Sequence, residues 1–174
     1  MKSALALQPV AREIERAIRA GPVLQIDDTP IKVMRAGPNG ERLKLRQSYL
    51  WVLCNPNVTG LAFRYTRGRG TEDVASILPS GEAGSGLETL VGDGYQANRS
   101  GAREAGLEVE FAGCWAHLLR KFRDALPEAP KSMGFFLQDI SKMYEVEARA
   151  KAEGLDAEGR LELRRRASPR SCCG

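Results

Sequence analysis

The sequence is poor in the residues that build disulfide frameworks or rich metal clusters: it has one histidine and four cysteines in 174 residues. Cys172 and Cys173 adjoin near the end of the sequence, and Cys54 and Cys114 lie far apart, so the spacing suggests no disulfide framework and reduced thiols are expected. No window approaches the roughly 18 consecutive apolar residues that a membrane span requires. The first residues are amphipathic where a secretory leader would be charged and then apolar. The expected location is therefore cytoplasmic, with no membrane partner. Internal repeats and long low-complexity segments are also missing, which excludes solenoids and linkers. What remains is 43% apolar composition, enough for one sizeable core. The net charge of +4 favours contact with a polyanion without establishing it.

The periodicities describe a mixed α/β chain. Gln8-Pro9 reads as a helix start, because proline is well placed at the first helical position, and Val10, Ile14 and Ile18 then recur at helical spacing until Gly21-Pro22. VLQIDDTPIKVM reads as a strand interrupted by acids, and the turn-rich AGPNGER follows it. RQSYLWVLC and VTGLAFRYT are strands separated by Asn55-Pro56-Asn57, so a three-stranded antiparallel meander is predicted. Thr71-Glu72-Asp73 caps a short helix through Leu78, the loop PSGEAGSG follows, and LETLVGDGY is a fourth strand. A helix over 96–106, a strand in LEVEFAGCW, a helix from LLRKFRDAL and a long helix over 135–153 complete the order. LDAEGRLELRRR is a last helical stretch, and its Arg164-Arg165-Arg166 run reads as disordered charge. The parts are a lead-in helix (1–21), a core (22–130), a helical extension (131–166) and an aberrant tail (167–174), where periodicity and capping logic stop together.

The acids inside the first strand need an explanation, since a buried charge must be paired, protonated or bound to metal. Strand residues alternate faces, so Asp27 and Asp28 point in opposite directions and at most one of them can join a given site. Asp93 lies between Gly92 and Gly94 at a strand end, where bare backbone lets a ligand approach and where open α/β sheets place their sites. Two carboxylates on neighbouring strand ends suit Mg²⁺, a hard cation that takes oxygen ligands. Each motif alone also reads as an ordinary turn or cap.

Four segments together resemble a known family. LQIDDTPIKVM, RQSYLWVLC, LVGDGY and GCWAHLLRKF are similar, in order, to the Ala-Asp-Glu-Thr-Pro, Gly-x-Leu-Trp-Val, Leu-Gln-Ala-Asp-Gly-Tyr and Cys-Trp-Ala-His-x-x-Arg-Lys-Phe blocks of the insertion-sequence-66 transposases, covering roughly residues 22 to 165. The resemblance implies a ribonuclease-H-like mixed sheet of about five strands, three antiparallel and then two parallel, flanked by helices. It also implies a DDE site that binds Mg²⁺ or Mn²⁺ and both cuts and joins DNA, with transposon ends and target as substrates. In such a site paired ions activate the attacking oxygen and stabilise the leaving one, with water or a freed 3′-hydroxyl as nucleophile. By position, Asp27 matches the family's first catalytic and metal-binding Asp and Asp93 the second, while Asp28 stands where the family has Glu. The family's third acid lies downstream of anything aligned, so the chain reads as a truncated catalytic domain. Glu145 and Glu147 read as solvated acids on a helix surface.

Cys114 and His117 form Cys-x-x-His, but structural zinc wants four ligands that the remaining cysteines are poorly placed to complete. The resemblance implies instead that Cys114, Trp115 and His117 shape a wall beside the acids, with Asp28, Cys114 and His117 as supporting residues. A buried, hydrogen-bonded histidine without a catalytic part is the plainer alternative. Arg64, Arg67, Arg69, Arg120, Lys121 and Arg123 are candidates for phosphate contacts, each against the alternative of a solvated face. Trp51 and Phe63 read as core. Three functional readings stand: a metal-dependent DNA transposase domain, alone or as a homo-oligomer; an inactive remnant that binds DNA or an intact transposase; and a stand-alone nuclease or resolvase of the same fold, which would need a third acid inside the chain.

Overall fold

A computed structural model describes residues 2–36, 42–79 and 86–167, with side chains described from residue 6 onward. The helices are α1 (Lys2–Arg19), α2 (Thr71–Ile77), α3 (Gln96–Glu104), α4 (Trp115–Asp124), α5 (Pro130–Ala152) and α6 (Ala157–Ala167). The strands are β1 (Val23–Arg35), β2 (Lys44–Cys54), β3 (Ala62–Thr66), β4 (Thr89–Gly92) and β5 (Glu110–Gly113). They fall into two compact units, Met1–Cys114 with the whole sheet and Trp115–Gly174 with α4, α5 and α6. The centres of the AGPNGER and PSGEAGSG loops, and the tail from residue 168, lie outside the described residues.

The sheet order is β3-β2-β1-β4-β5, with β1–β2 and β2–β3 antiparallel and β1–β4 and β4–β5 parallel. This is the predicted meander followed by two parallel strands, a ribonuclease-H-like arrangement. The meander turns at Asn55, whose carbonyl accepts the Val58 N–H at 3.0 Å and whose side-chain oxygen accepts the Asn57 N–H at 2.9 Å. The Asn55 amide donates to the Ile18 carbonyl at 3.1 Å, pinning the same turn to the end of α1.

The alternation of β1 decides where the core lies. Leu24 and Ile26 are buried together with Trp51, Leu53 and Leu90, and Ile18 of α1, Val74 and Ile77 of α2, and Ala97 and Ala102 of α3 join them. Each large side chain in this cluster contributes about 1.5–3 kcal/mol by leaving water. Helices α2 and α3 approach closely at Gly101, where a Cβ would stand 2.6 Å from the Val74 Cβ. Trp51 donates its indole N–H to the Thr66 hydroxyl at 2.7 Å, so its polar atom is satisfied inside the core.

Five sequence readings need correction. Helix α1 starts at Lys2 and carries Pro9 inside it, so the proline does not begin the helix. Only Ile18 of the expected apolar stripe is buried, while Val10 and Ile14 are exposed. Helix α2 is capped at Gly70 and not at Thr71: the Asp73 carboxylate accepts the Gly70 and Gly68 N–H groups at 3.1 and 3.2 Å, and the Thr71 hydroxyl pairs with Ser100 instead. Phe63 is 60% exposed, because Ala62 and Thr66 take the core-facing positions of β3 and alternation turns Phe63 away with Leu61 and Tyr65. The arginine run is helical, since α6 extends through Ala167 and Arg164 binds Glu147 of α5.

In the second unit α5 packs on α4 and α6, with Asp139, Ile140, Val146 and Ala150 as its buried residues. Phe122 of α4 stacks on Phe136 of α5 with ring centroids 5.1 Å apart.

Candidate active site

The parallel strands β1 and β4 end their pairing at Gln25 and Val91, and the three acids lie just beyond. On β1, Asp28 continues the parity of the buried residues Leu24 and Ile26, whereas Asp27 continues that of Val23 and Gln25. The two carboxylates therefore leave the strand on opposite faces. Asp27 accepts the backbone N–H of Asp28 at 2.9 Å. On the neighbouring strand the chain turns at once after Asp93, because Gly94 takes a positive φ of 81° that side-chain-bearing residues avoid.

Arg69, in the loop between β3 and α2, joins the acids. Its Nη2 donates to Asp93 Oδ2 at 2.6 Å, and its Nε lies 2.6 Å from Asp28 Oδ1. The second contact is short but out of line for an N–H···O bond, so we read it as a charge contact. The Tyr95 ring lies 4.0 Å from the guanidinium carbon and holds the cation from one side. The other Asp93 oxygen, Oδ1, accepts the Tyr95 N–H at 2.9 Å and the Asn98 amide at 3.1 Å. Asn98 itself is buried on α3.

Burial pushes the Asp28 carboxyl above its usual range, against the opposing charge and contact of Arg69, and the nearby charges of Asp93 and Asp27 add to the rise. Burial also lowers the Arg69 guanidinium, but the hydrogen bond to Asp93 and the charges of Asp28 and Asp93 outweigh it and leave the group above its ordinary value. A cation is thus drawn between Asp28 and Asp93. Hard carboxylate oxygens around one positive centre are the donor chemistry that a divalent ion takes, so the residues fit Mg²⁺ or Mn²⁺ in kind. In number they fall short, since no group of three or more His, Cys, Asp or Glu gathers among the described residues.

The remaining candidates are dispersed. Arg64 is paired with Glu15 of α1, and Arg67 is exposed at the end of β3. Arg120, Lys121 and Arg123 are exposed on α4. Cys114 closes the first unit, where Gln25 bridges it to Cys54: the Gln25 amide donates toward the Cys114 sulfur at 3.9 Å, and the Cys54 thiol toward Gln25 Oε1 at 3.7 Å. Burial pushes the Cys54 thiol up, and Cys114 adds to it. Both cysteines are unbridged. Trp115 and His117 belong to the second unit, the first exposed and the second half-buried on α4. Glu145 is exposed, but Glu147 is not merely solvated: Arg164 of α6 grips both its oxygens at 2.5 and 3.0 Å.

Sequence reasoning missed Arg69 as the partner of the acids, and Tyr95 and Asn98 as the groups that orient Asp93. A usable signal existed for Arg69, since buried acids require a counter-cation, but nothing in the spacing chose it over Arg64 or Arg67.

Among the described residues no helix is long and apolar enough to cross a membrane. The chain is 28% identical over 179 residues to the uncharacterized protein y4qI of Sinorhizobium fredii (strain NBRC 101917 / NGR234); the match covers 93% of the chain and 30% of that relative's length. Residues 1–171 match the model of the Transposase IS66 family, and the chain belongs to that family.

Proposed function

We propose that this chain carries acids of a metal-dependent DNA transposase site, with Asp27 and Asp93 as the metal-binding and catalytic carboxylates and Asp28 joined to Asp93 through Arg69. The observation that supports this reading is the cation held between Asp28 and Asp93 just beyond the paired stretch of two parallel strands. When bound, Mg²⁺ or Mn²⁺ supplies activation of the attacking oxygen and stabilisation of the leaving oxygen at a DNA phosphodiester. The protein's own part is orientation. Tyr95 N–H and the Asn98 amide fix the Asp93 carboxylate through one oxygen and leave the other to Arg69. Within the unit that holds the acids, Arg67 is exposed and offers charge to a phosphate, a contact that positions DNA without reading its sequence; Arg120, Lys121 and Arg123 are exposed on α4 of the other unit and offer the same chemistry there. Water would serve as nucleophile for cutting an insertion-sequence end and a 3′-hydroxyl for joining it to target DNA.

A second reading is favoured by one observation, that no third acid joins the pair among the described residues. In that reading the chain binds DNA or an intact transposase without catalysing. Nicking of supercoiled DNA in Mn²⁺ separates the two, with Asp27→Asn, Asp28→Asn and Asp93→Asn run beside the parent chain. Activity abolished by Asp27→Asn and Asp93→Asn supports the catalytic reading. A folded chain that binds duplex DNA yet never nicks it supports the second.

A further inference from the structure

The site holds an internal positive charge where its proposed chemistry needs a metal. Asp93 Oδ1 already accepts two N–H donors, from Tyr95 and Asn98, and Arg69 Nη2 holds Oδ2 at 2.6 Å. The oxygen most available to a hard cation is therefore the one that Arg69 occupies. A divalent ion on Oδ2 would meet a guanidinium at close range, and like charges in a part-buried site repel with little screening. Both cannot stay.

The geometry also indicates what moves. The loop backbone is pinned, because Gly68 and Gly70 on either side of Arg69 donate their N–H groups to Asp73. The Arg69 side chain is 26% exposed, and its contact with Asp28 is not an aligned hydrogen bond. Release therefore needs only side-chain rotation, with the Tyr95 ring as a surface beside the guanidinium. A freed guanidinium presents planar, paired donors, which suit a phosphate.

We propose that Arg69 is a placeholder cation: it holds Asp28 and Asp93 together before metal arrives, yields Asp93 to the divalent ion, and then pairs with a DNA phosphate. This rests on the metal-site reading above and adds an exchange of partners within it. The two acids are kept from repelling one another in the metal-free state, and the same positive charge is passed to the substrate when the ion takes its place. Arg69 is thus a positioning residue for the acids and a contact for DNA.

The test measures two affinities that the proposal moves in opposite directions. Mn²⁺ binding is followed by calorimetry, and binding of a short blunt duplex of random sequence by fluorescence anisotropy, for the parent chain, Arg69→Met and Arg69→Lys. Arg69→Met is expected to bind Mn²⁺ about tenfold more tightly and the duplex more weakly, with a salt slope smaller by about one. Arg69→Lys, which keeps the charge but loses the fork, should fall between. A folded Arg69→Met chain with unchanged or weaker Mn²⁺ binding overturns the exchange while leaving the metal site standing. No Mn²⁺ binding by any of the chains overturns the metal-site reading and the exchange with it. Should Arg69→Met fail to fold, the Arg69 Nε–Hε resonance of the parent chain replaces it: a shift on Mg²⁺ addition supports release, and an unmoved signal at saturating Mg²⁺ overturns it.

Discussion

The two compact units are stabilised by different means. In Met1–Cys114 three helices and a sheet share one buried cluster, in which Ile18, Leu24, Trp51, Leu53, Val74 and Leu90 are essentially removed from water. In Trp115–Gly174, α4 and α6 bury no residue fully, and α5 buries Asp139, Ile140, Val146 and Ala150. The exposed ion pairs there include Arg164 with Glu147, Arg149 with Glu153 and Arg166 with Glu162. Surface pairs of this kind contribute about 0–1 kcal/mol each, well below the burial of one large side chain. The strand-end acids are in the unit with the cohesive core, as precise placement of charged groups requires.

The largest effect that would test this contrast is a core truncation. Leu24→Ala should cost about 2–5 kcal/mol, because the tightly shared cluster cannot collapse into the space. Leu161→Ala on α6, whose side chain is 44% exposed, should stay within about 0.5 kcal/mol. Urea unfolding read by Trp51 emission in a Trp115→Phe background reports the first, and far-UV circular dichroism the second. Comparable losses would mean that the second unit has a core as demanding as the first.

A smaller effect sharpens the picture of the first unit's packing. Gly101→Ala would place a methyl 2.6 Å from the Val74 Cβ and 3.0 Å from the Thr71 carbonyl oxygen. Backbone must shift, and the expected cost is about 1–3 kcal/mol, measured as a fall in the urea midpoint. Val74→Ala removes the Cγ1 that would stand 2.7 Å from the new methyl but keeps the Cβ at 2.6 Å, so adding it to Gly101→Ala should leave most of the loss in place. Full recovery would show that the Val74 Cγ1 alone sets the constraint.

Most of the sheet was legible from local chemistry, and most of the site was not. Period-two alternation in β1 and β2 and the Asn55-Pro56-Asn57 turn specify the meander, because each is written in consecutive residues. The reading failed where one local signal had two outcomes. Proline at Pro9 marks a helix start in many chains and sits inside α1 here, and an aromatic in a short apolar strand faces the core only if the alternation allows it, which at Phe63 it does not. Asp27, Asp28 and Asp93 were legible as acids needing an explanation, and they follow the paired stretch of β1 and β4, with Asp93 just past the end of its strand and Asp27 and Asp28 inside theirs. Arg69 joins Asp28 and Asp93 across sequence separations that no periodicity records, and that Arg69 meets Asp28 and not Asp27 follows from the parity of Asp28 with Leu24 and Ile26 only once the buried face is known.

The smallest effect separates the units by the sign of a pH dependence. Burial raises the Asp28 carboxyl above its unfolded value, more than Arg69 lowers it. Its contribution to stability is therefore fully present below the unfolded pKa and is lost as pH rises through the folded one. Glu147 is the opposite case: the hydrogen bond from Arg164 lowers its carboxyl below the ordinary value, against a smaller effect of burial and with the charges of Arg164 and Arg160 assisting. Its contribution is present above the unfolded pKa and lost as pH falls through the folded one. Asp28→Asn should consequently raise the melting temperature at neutral pH, with the gain shrinking as the buffer is taken below the folded pKa of Asp28. Glu147→Gln should lower it slightly at neutral pH and do nothing in acid, a small change because the pair is 38–49% exposed and screened by solvent. Thermal melts of both variants across acid to neutral buffers provide the check. Asp28→Asn destabilising at neutral pH would show that the Arg69 bridge outweighs the burial of the Asp28 charge, and the acid would then be held in place by its cation at a net gain to the fold.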